Sequence, residues 1–372
     1  MVIGIIILVI SLAVALIFLF RKRDKYSGKW DCNPVRQICH PDVAPYSSIG
    51  DCVSNGSNCR IPFLLGGYAY FGQMGGRSFP LETVFDVYTN SGCFNFIEFY
   101  ESGEASKAGQ NLTKYADLIN AWRKNPNRLL IVSREINLHA NECECLQIFN
   151  YPEDEAKSTC TFVDPSWDPK NPLTVHYGSQ RAWSDNIKAT GVPVDGIIFD
   201  YELRSFDLHP EYLDCMENII KYYNDNLDAY CGERRIIFFS FYQEISDYGS
   251  PAGKAVVERL LKLTRYPNVL VFYEFQLYDF SENFIGIVDW FLDRYKPIAH
   301  RSTIIVWVYR YKYWAENLKQ PAYAPIKYAK DKGLAGVVFL NEVDTDKYGN
   351  PLNPPGWIDP DFVKAVSAEC PT

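Results

Sequence analysis

The stretch Val194-Asp195-Gly196-Ile197-Ile198-Phe199-Asp200-Tyr201-Glu202 is an apolar run that ends in two acids, two residues apart. Side chains alternate along a strand, so Asp200 and Glu202 share one face with Ile198 directly beneath them. Two carboxylates in one file at the end of a buried strand repel each other and lose hydration. Such a pair usually raises the pKa of one member, which is how a general acid is made. The same pattern arises where loop amides or an arginine satisfy both acids at a strand end. Taken alone, the stretch leaves both readings open.

Working outward, similar runs dense in Ile, Val, Phe and Tyr recur at 61–70, 94–100, 128–136, 235–243, 268–279, 302–309 and 334–342, which makes eight with 194–202. Such composition suits strands buried on both faces. Amphipathic helical stretches lie between them, most clearly at 111–124, 179–190, 210–230, 252–266, 282–295, 321–332 and 359–369. Asn111 is placed to cap one helix, and Pro210 sits at a helix start where its missing N–H is harmless. Strand and helix alternating through residues 61–372 predict an α/β fold, a (β/α)8 TIM barrel. A doubly wound open sheet needs a Gly-rich phosphate loop after its first strand, and Gly66-Gly67-Tyr68 does not supply one. The irregular segment 137–178, with Cys143, Cys145 and Cys160, then reads as a loop insertion on the third βα unit.

The chain has 372 residues, 47% of them apolar and 15% aromatic, including 26 Tyr and 8 Trp. Its net charge of -8, with no basic patch beyond residues 21–25, argues against a nucleic-acid partner. Residues 2–20 are uncharged and almost wholly aliphatic or aromatic, with no small-residue cleavage site after them. They are long enough to span a bilayer core and read as a transmembrane anchor over 1–20. Residues 21–60, rich in Cys, Pro, Ser, Asn and Gly, read as a Cys-rich juxtamembrane stalk. Cys32, Cys39, Cys52 and Cys59 are spaced too widely for a zinc knuckle and suit two disulfides.

Orientation signals conflict. Arg21-Lys22-Arg23 after the anchor favours a cytosolic barrel. The 11 cysteines and the sequons Asn55-Gly56-Ser57 and Asn111-Leu112-Thr113 favour a lumenal or extracellular glycoprotein, which is the expectation adopted. The anchor with its basic flank also resembles the membrane-sorting segments of envelope proteins from large insect DNA viruses, which implies a place in a virion envelope.

In a barrel, reactive groups come from the carboxyl ends of the strands. The fourth run offers Asp200 and Glu202. The fifth offers Ser240, Tyr242 and Glu244. The sixth offers Glu274, Gln276 and Tyr278 in one column, followed by Asp279. The seventh offers Trp307 and Tyr309, and the eighth Asn341 and Glu342. Acids, a phenol, amides and indole faces converging on one mouth suit a sugar site. Singly, each is equally a strand-end polar group meeting solvent, above all Glu244 and Glu342. The histidines at 40, 139, 176, 209 and 300 show no metal-ligand spacing, and Cys143-Glu144-Cys145 suits disulfides better than metal. Neither a metal nor a cofactor is expected.

The segment from Asp195 to Glu202 resembles the strand-four motif Asp-Gly-x-Asp-x-Asp-x-Glu of glycoside hydrolase family 18, the chitinase family. Gln276-Leu277-Tyr278-Asp279 is similar to its strand-six Met-x-Tyr-Asp segment, and Gly336-Val337-Val338-Phe339 to its last strand. The resemblance implies that Glu202 is the general acid that protonates the glycosidic oxygen. It implies that Asp200 orients the substrate's 2-acetamido group, whose carbonyl oxygen attacks the anomeric carbon, and that Tyr278 hydrogen-bonds the acetamido oxygen with Asp279 assisting. The catalytic set is therefore Glu202, Asp200 and Tyr278. Asp195, Gln276, Asp279, Tyr242, Trp307 and Asn341 are candidates for substrate binding, and the expected partner is a glycan containing N-acetylglucosamine.

Three departures stand out. Ile198 replaces the family's middle Asp, which shares a proton with the position of Asp200. Val132-Ser133-Arg134-Glu135 stands where the family has Ser-x-Gly-Gly. Leu340 occupies the place of the Trp on which a sugar ring stacks. The expectation is thus a membrane-anchored glycosidase using substrate-assisted acid catalysis, or a weak or inactive chitinase-like protein that binds glycan without cutting it.

Overall fold

The computed structural model describes residues 30–33, 38–41, 48, 52, 61–69, 81–102, 105–134, 180–201, 211–242, 250–277, 304–309, 324–340, 343–345 and 351–356. The chain divides into two compact units, Met1–Arg60 and Ile61–Thr372. In the first, β1 (Trp30–Asn33) and β2 (Ile38–Pro41) form an antiparallel pair whose register sets Cys32 opposite Cys39. Cys52 in this unit is buried and disulfide-bonded. The expected anchor and its virus-like flank lie outside the described residues, among which no helix is long and apolar enough to cross a membrane.

The second unit is built on eight parallel strands: β3 (Leu64–Ala69), β4 (Phe96–Glu101), β5 (Leu129–Arg134), β6 (Gly196–Tyr201), β7 (Ile236–Tyr242), β8 (Leu270–Leu277), β9 (Ile304–Tyr309) and β10 (Gly336–Leu340). Each pairs with the next, and β10 pairs back with β3, so the sheet closes into a barrel. Seven of the eight predicted runs contain one of these strands whole, and the run 94–100 covers β4 except its last residue, Glu101. A separate antiparallel ribbon, β11 (Val343–Thr345) with β12 (Pro351–Gly356), follows the last barrel strand.

Alternation along the strands sorts the apolar side chains into two shells. Leu64, Phe96, Leu129, Ile131, Ile198, Ile236, Phe238, Phe272 and Val338 fill the barrel interior. Residues of opposite parity, such as Ile97, Phe99, Leu130, Val132, Ile197, Phe199, Ile237 and Phe239, face the helices. Gly196 opens β6 because a Cβ there would lie 2.3 Å from the carbonyl oxygen of Ile236 on the next strand. Tight strand contact, rather than chemistry, fixes this glycine.

The helices are α1 (Leu81–Asn90), α2 (Gln110–Lys114), α3 (Ala116–Trp122), α4 (Gln180–Ala189), α5 (Glu211–Asp225), α6 (Pro251–Leu263) and α7 (Ala324–Lys332). Each lays an apolar stripe on the outer shell. Trp122 on α3 and Trp183 on α4 are fully buried, and their indole N–H groups donate to the carbonyls of Leu129 (3.2 Å) and Ser102 (2.8 Å). Burying a side chain of this size contributes about 3 kcal/mol, provided its polar atom keeps a partner. At the start of α6, Ser250 accepts from Gly253 N at 2.9 Å and Pro251 occupies the first turn, a sequence-encoded cap.

The expected helix 111–124 is instead two short helices broken at Tyr115, and Asn111 is not its cap. Gly109, with φ 88°, precedes α2, and the orphan N–H of Leu112 donates 3.1 Å to the Glu101 carboxylate at the end of β4. The cap thus comes from a neighbouring strand. The predicted helices at 282–295 and 359–369, Pro210 and the insertion 137–178 lie outside the described residues.

Candidate active site

Two rows of residues cross the carboxyl ends of β6 to β9. In the first, backbone register sets Asp200 beside Ser240, and Ser240 beside Glu274. In the second, one step further along, Tyr242 is beside Gln276, and Gln276 beside Trp307. Neighbouring strands stand about 4.8 Å apart. Four of the sequence-predicted residues, Asp200, Tyr242, Gln276 and Trp307, are therefore gathered on four consecutive strands at one end of the barrel. Glu202, Tyr278, Asp279 and Asn341 lie just beyond the ends of β6, β8 and β10, outside the described residues, as do Glu244 and Glu342.

Asp195 is set apart from this group. It precedes the first residue of β6, so it lies at the amino end of the barrel, opposite the rows above. It is wholly buried, and its carboxylate accepts from Arg123 Nη1 (2.5 Å), Leu130 N (2.7 Å) and Arg234 Nε (3.1 Å). Arg123 continues to Glu233 at 3.0 Å. Full burial pushes the Asp195 carboxyl up, against the pull of Arg123 and Arg234. Its described partners all belong to the protein's own chain, which suits holding strand ends together rather than gripping a ligand.

Three further polar side chains stand in the barrel wall: Glu274, which the sequence offered among its strand-end groups, and Glu98 and Ser133, which it did not. Glu98 on β4 and Glu274 on β8 are 1% and 0% exposed, and Ser133 on β5 is 1% exposed. Glu98 has the parity of Phe96, and Glu274 that of Phe272, both interior residues. The Ser240 hydroxyl donates to Glu274 Oε1 at 3.4 Å. The Ser133 hydroxyl has no hydrogen-bond partner among the described residues. Strand parity in Phe94-Asn95-Phe96-Ile97-Glu98 was the available signal for Glu98, because that acid interrupts an otherwise apolar inward file.

Glu101 closes β4 on the opposite, helix-facing side. Burial pushes its carboxyl up, while N–H groups of Ser102 and Leu112 pull it down. Arg134, its register partner on β5, is also wholly buried and lies over the ring of Trp183, 5.5 Å from the centroid. These two polar groups brace the barrel against α2 and α4. Among the described residues, no group of three or more His, Cys, Asp or Glu side chains is arranged to hold a metal ion.

Solved structures similar to this chain include GH18 chitinases and a sugar epimerase. A chitinase from Chromobacterium violaceum is 13% identical, with a TM-score of 0.46, over 82% of this chain and 100% of that one. A GH18 chitinase from Cycas revoluta, solved in complex with (GlcNAc)3, is 11% identical with a TM-score of 0.45, over 82% and 99%. The 3-keto-D-glucoside 4-epimerase YcjR from E. coli is 12% identical with a TM-score of 0.39, over 82% and 97%. No protein-family model and no curated protein matches the sequence. Likenesses this distant carry no argument about chemistry, which must be read from the strand ends themselves.

Proposed function

We propose that the protein is a glycoside hydrolase of the chitinase type, acting on N-acetylglucosamine-containing glycans by substrate-assisted acid catalysis. Glu202 is its general acid, Asp200 orients the acetamido group, and Tyr278 hydrogen-bonds the acetamido oxygen. Gln276, Tyr242 and Trp307 line the sugar, with Asp279 and Asn341 at the rim. Residues 2–20 anchor it in a membrane, with the barrel on the lumenal or extracellular side. One observation carries the reading: in a closed barrel, Asp200, next to last in β6, is in register with Ser240 and Glu274, and one step below Tyr242, Gln276 and Trp307. Barrel enzymes carry their reactive groups at the carboxyl ends of the strands, and glycosidic cleavage needs an acid there to protonate the leaving oxygen.

The test is release of a fluorophore from a chitobiose-type substrate. Glu202→Gln should cost at least about 100-fold in turnover, the usual contribution of a positioned acid, while Glu342→Gln leaves it unchanged. Wild-type protein with no turnover on a broad glycan panel would sink the hydrolase reading. A second reading, a barrel that binds glycan without cutting it, draws on Ile198. This residue is wholly buried in the apolar interior, where the resembling family has a carboxylate. Glycan-array binding without hydrolysis, lost on Glu202→Ala, would favour it.

A further inference from the structure

The replacement of an acid by Ile198 leaves a question that the barrel's own geometry answers. Barrel strands tilt, so hydrogen-bonded partners are not level with each other. With a shear of about eight over eight strands, residues at one height advance about one position per strand along the register. From Ile198, the register leads through Phe238 to Phe272 on β8, and back through Ser133 to Tyr100 on β4. Corrected for tilt, the residues level with Ile198 on alternate strands are Glu274 on β8, Val338 on β10 and Glu98 on β4. These are the four members of one interior layer. Asp200 lies one layer above, with Tyr100 and Gln276. Ser133 and Ser240 fall between the two layers, on the strands flanking β6.

The layer that lost its acid on β6 therefore carries acids on β4 and β8. Glu274 is wholly buried and accepts a hydrogen bond from Ser240, the register neighbour of Asp200. The 3.4 Å separation is long for two oxygens, and such bonds tighten when a substrate closes the site. On the other flank, the Ser133 hydroxyl is 1% exposed with no partner among the described residues, a donor available beneath position 200. Among the described side chains, the other ionisable groups in the inward files of these strands are Glu98 and the phenol of Tyr100 on β4.

We propose that Glu274 is a positioning residue for Asp200, acting through the Ser240 hydroxyl and standing in for the carboxylate that Ile198 does not supply. This rests on the hydrolase reading for its catalytic meaning. A proton on Asp200 passes to Ser240 Oγ as the Ser240 hydroxyl proton passes to Glu274. One O–H bond breaks and one forms at each hand-over, and the return uses the same path. Asp200 can then exchange its proton without an acid beneath it on its own strand.

Two measurements test the proposal. In fluorophore release, Glu274→Gln should lower kcat/KM about 10- to 100-fold and move the acid limb of the pH profile. Ser240→Ala should move the same limb, with the double variant no worse than either single one. Adding Ile198→Asp to Glu274→Gln should restore the limb. An unchanged pH profile in folded Glu274→Gln, or a limb that moves only with Glu98→Gln, overturns the assignment. The second is a carboxyl NMR titration of Asp200, which needs no turnover. It should show two steps in the wild type and one in Glu274→Gln, as coupled acids do. Two-step titration in a protein that cleaves no glycan would sink the hydrolase reading and keep the coupling. Turnover with one-step titration would sink the coupling and keep the hydrolase.

Discussion

Two aspartates five positions apart on the same strand segment, Asp195 and Asp200, sit at opposite ends of one barrel. At the amino end, a buried carboxylate is answered by two guanidinium groups and a backbone N–H. At the carboxyl end, the register neighbour of Asp200 is a serine, whose hydroxyl reaches a second buried acid. A guanidinium pair fixes charge permanently, because arginine does not give up its proton. A serine hydroxyl that donates to a carboxylate brings no fixed charge to it. One end of the barrel thus answers its acid with fixed positive charge, and the other answers a buried acid with a neutral hydroxyl.

The largest effect should follow from attacking the amino end. Asp195→Ala leaves Arg123 and Arg234 buried without their shared carboxylate and should cost about 3–5 kcal/mol in urea unfolding. Turnover per folded molecule should be unchanged, and a loss of turnover at full stability would break the comparison. Asp200→Asn should do the reverse. Turnover should fall about 100-fold, in the range of a displaced catalytic carboxylate, with the urea midpoint close to wild type.

The smallest effect concerns Cys231, which lies in the amino-end loops that lead into β7. Burial pushes its thiol up from 9.0 to about 12. At pH 8 the native protein should alkylate no faster than Cys231→Ser, since the thiolate is scarce. Because the folded value is raised, the contribution of this thiol to stability is complete below pH 9 and is lost as the pH climbs from 9 toward about 12. Rapid native alkylation at pH 8 would show that the amino end is not sealed.

The strands were legible because each is a short run of β-branched and aromatic residues bounded by turn residues, and such runs can only be buried. The helix α1, Leu81–Asn90, escaped notice because Thr83, Val84, Val87 and Thr89 read as strand formers. Tertiary packing of Phe85 and Tyr88 against the outer shell overrides that preference. Asn111 was misread as a cap because the true cap, Glu101, is 11 residues away on another element, and capping from outside leaves no local signal. Asp195 was assigned to the mouth because it shares a motif with Asp200. Counting residues from the start of the strand would have sent it to the other end. Glu98 and Glu274 acquire meaning only once tilt brings them level with Ile198, and tilt is not written in any single strand.

Closure of β10 onto β3 has a consequence in time rather than in space. Leu64 pairs with Gly336, about 270 residues later in the chain. At a synthesis rate of roughly 5–20 residues per second, that interval is about 15–50 seconds. Throughout it, β3 is an apolar edge with an unfilled row of backbone hydrogen bonds, while its other neighbours are already being completed. An edge of that kind invites pairing with foreign strands. The first barrel strand of this chain is thus left exposed during its making, and the last barrel strand to emerge ends that exposure.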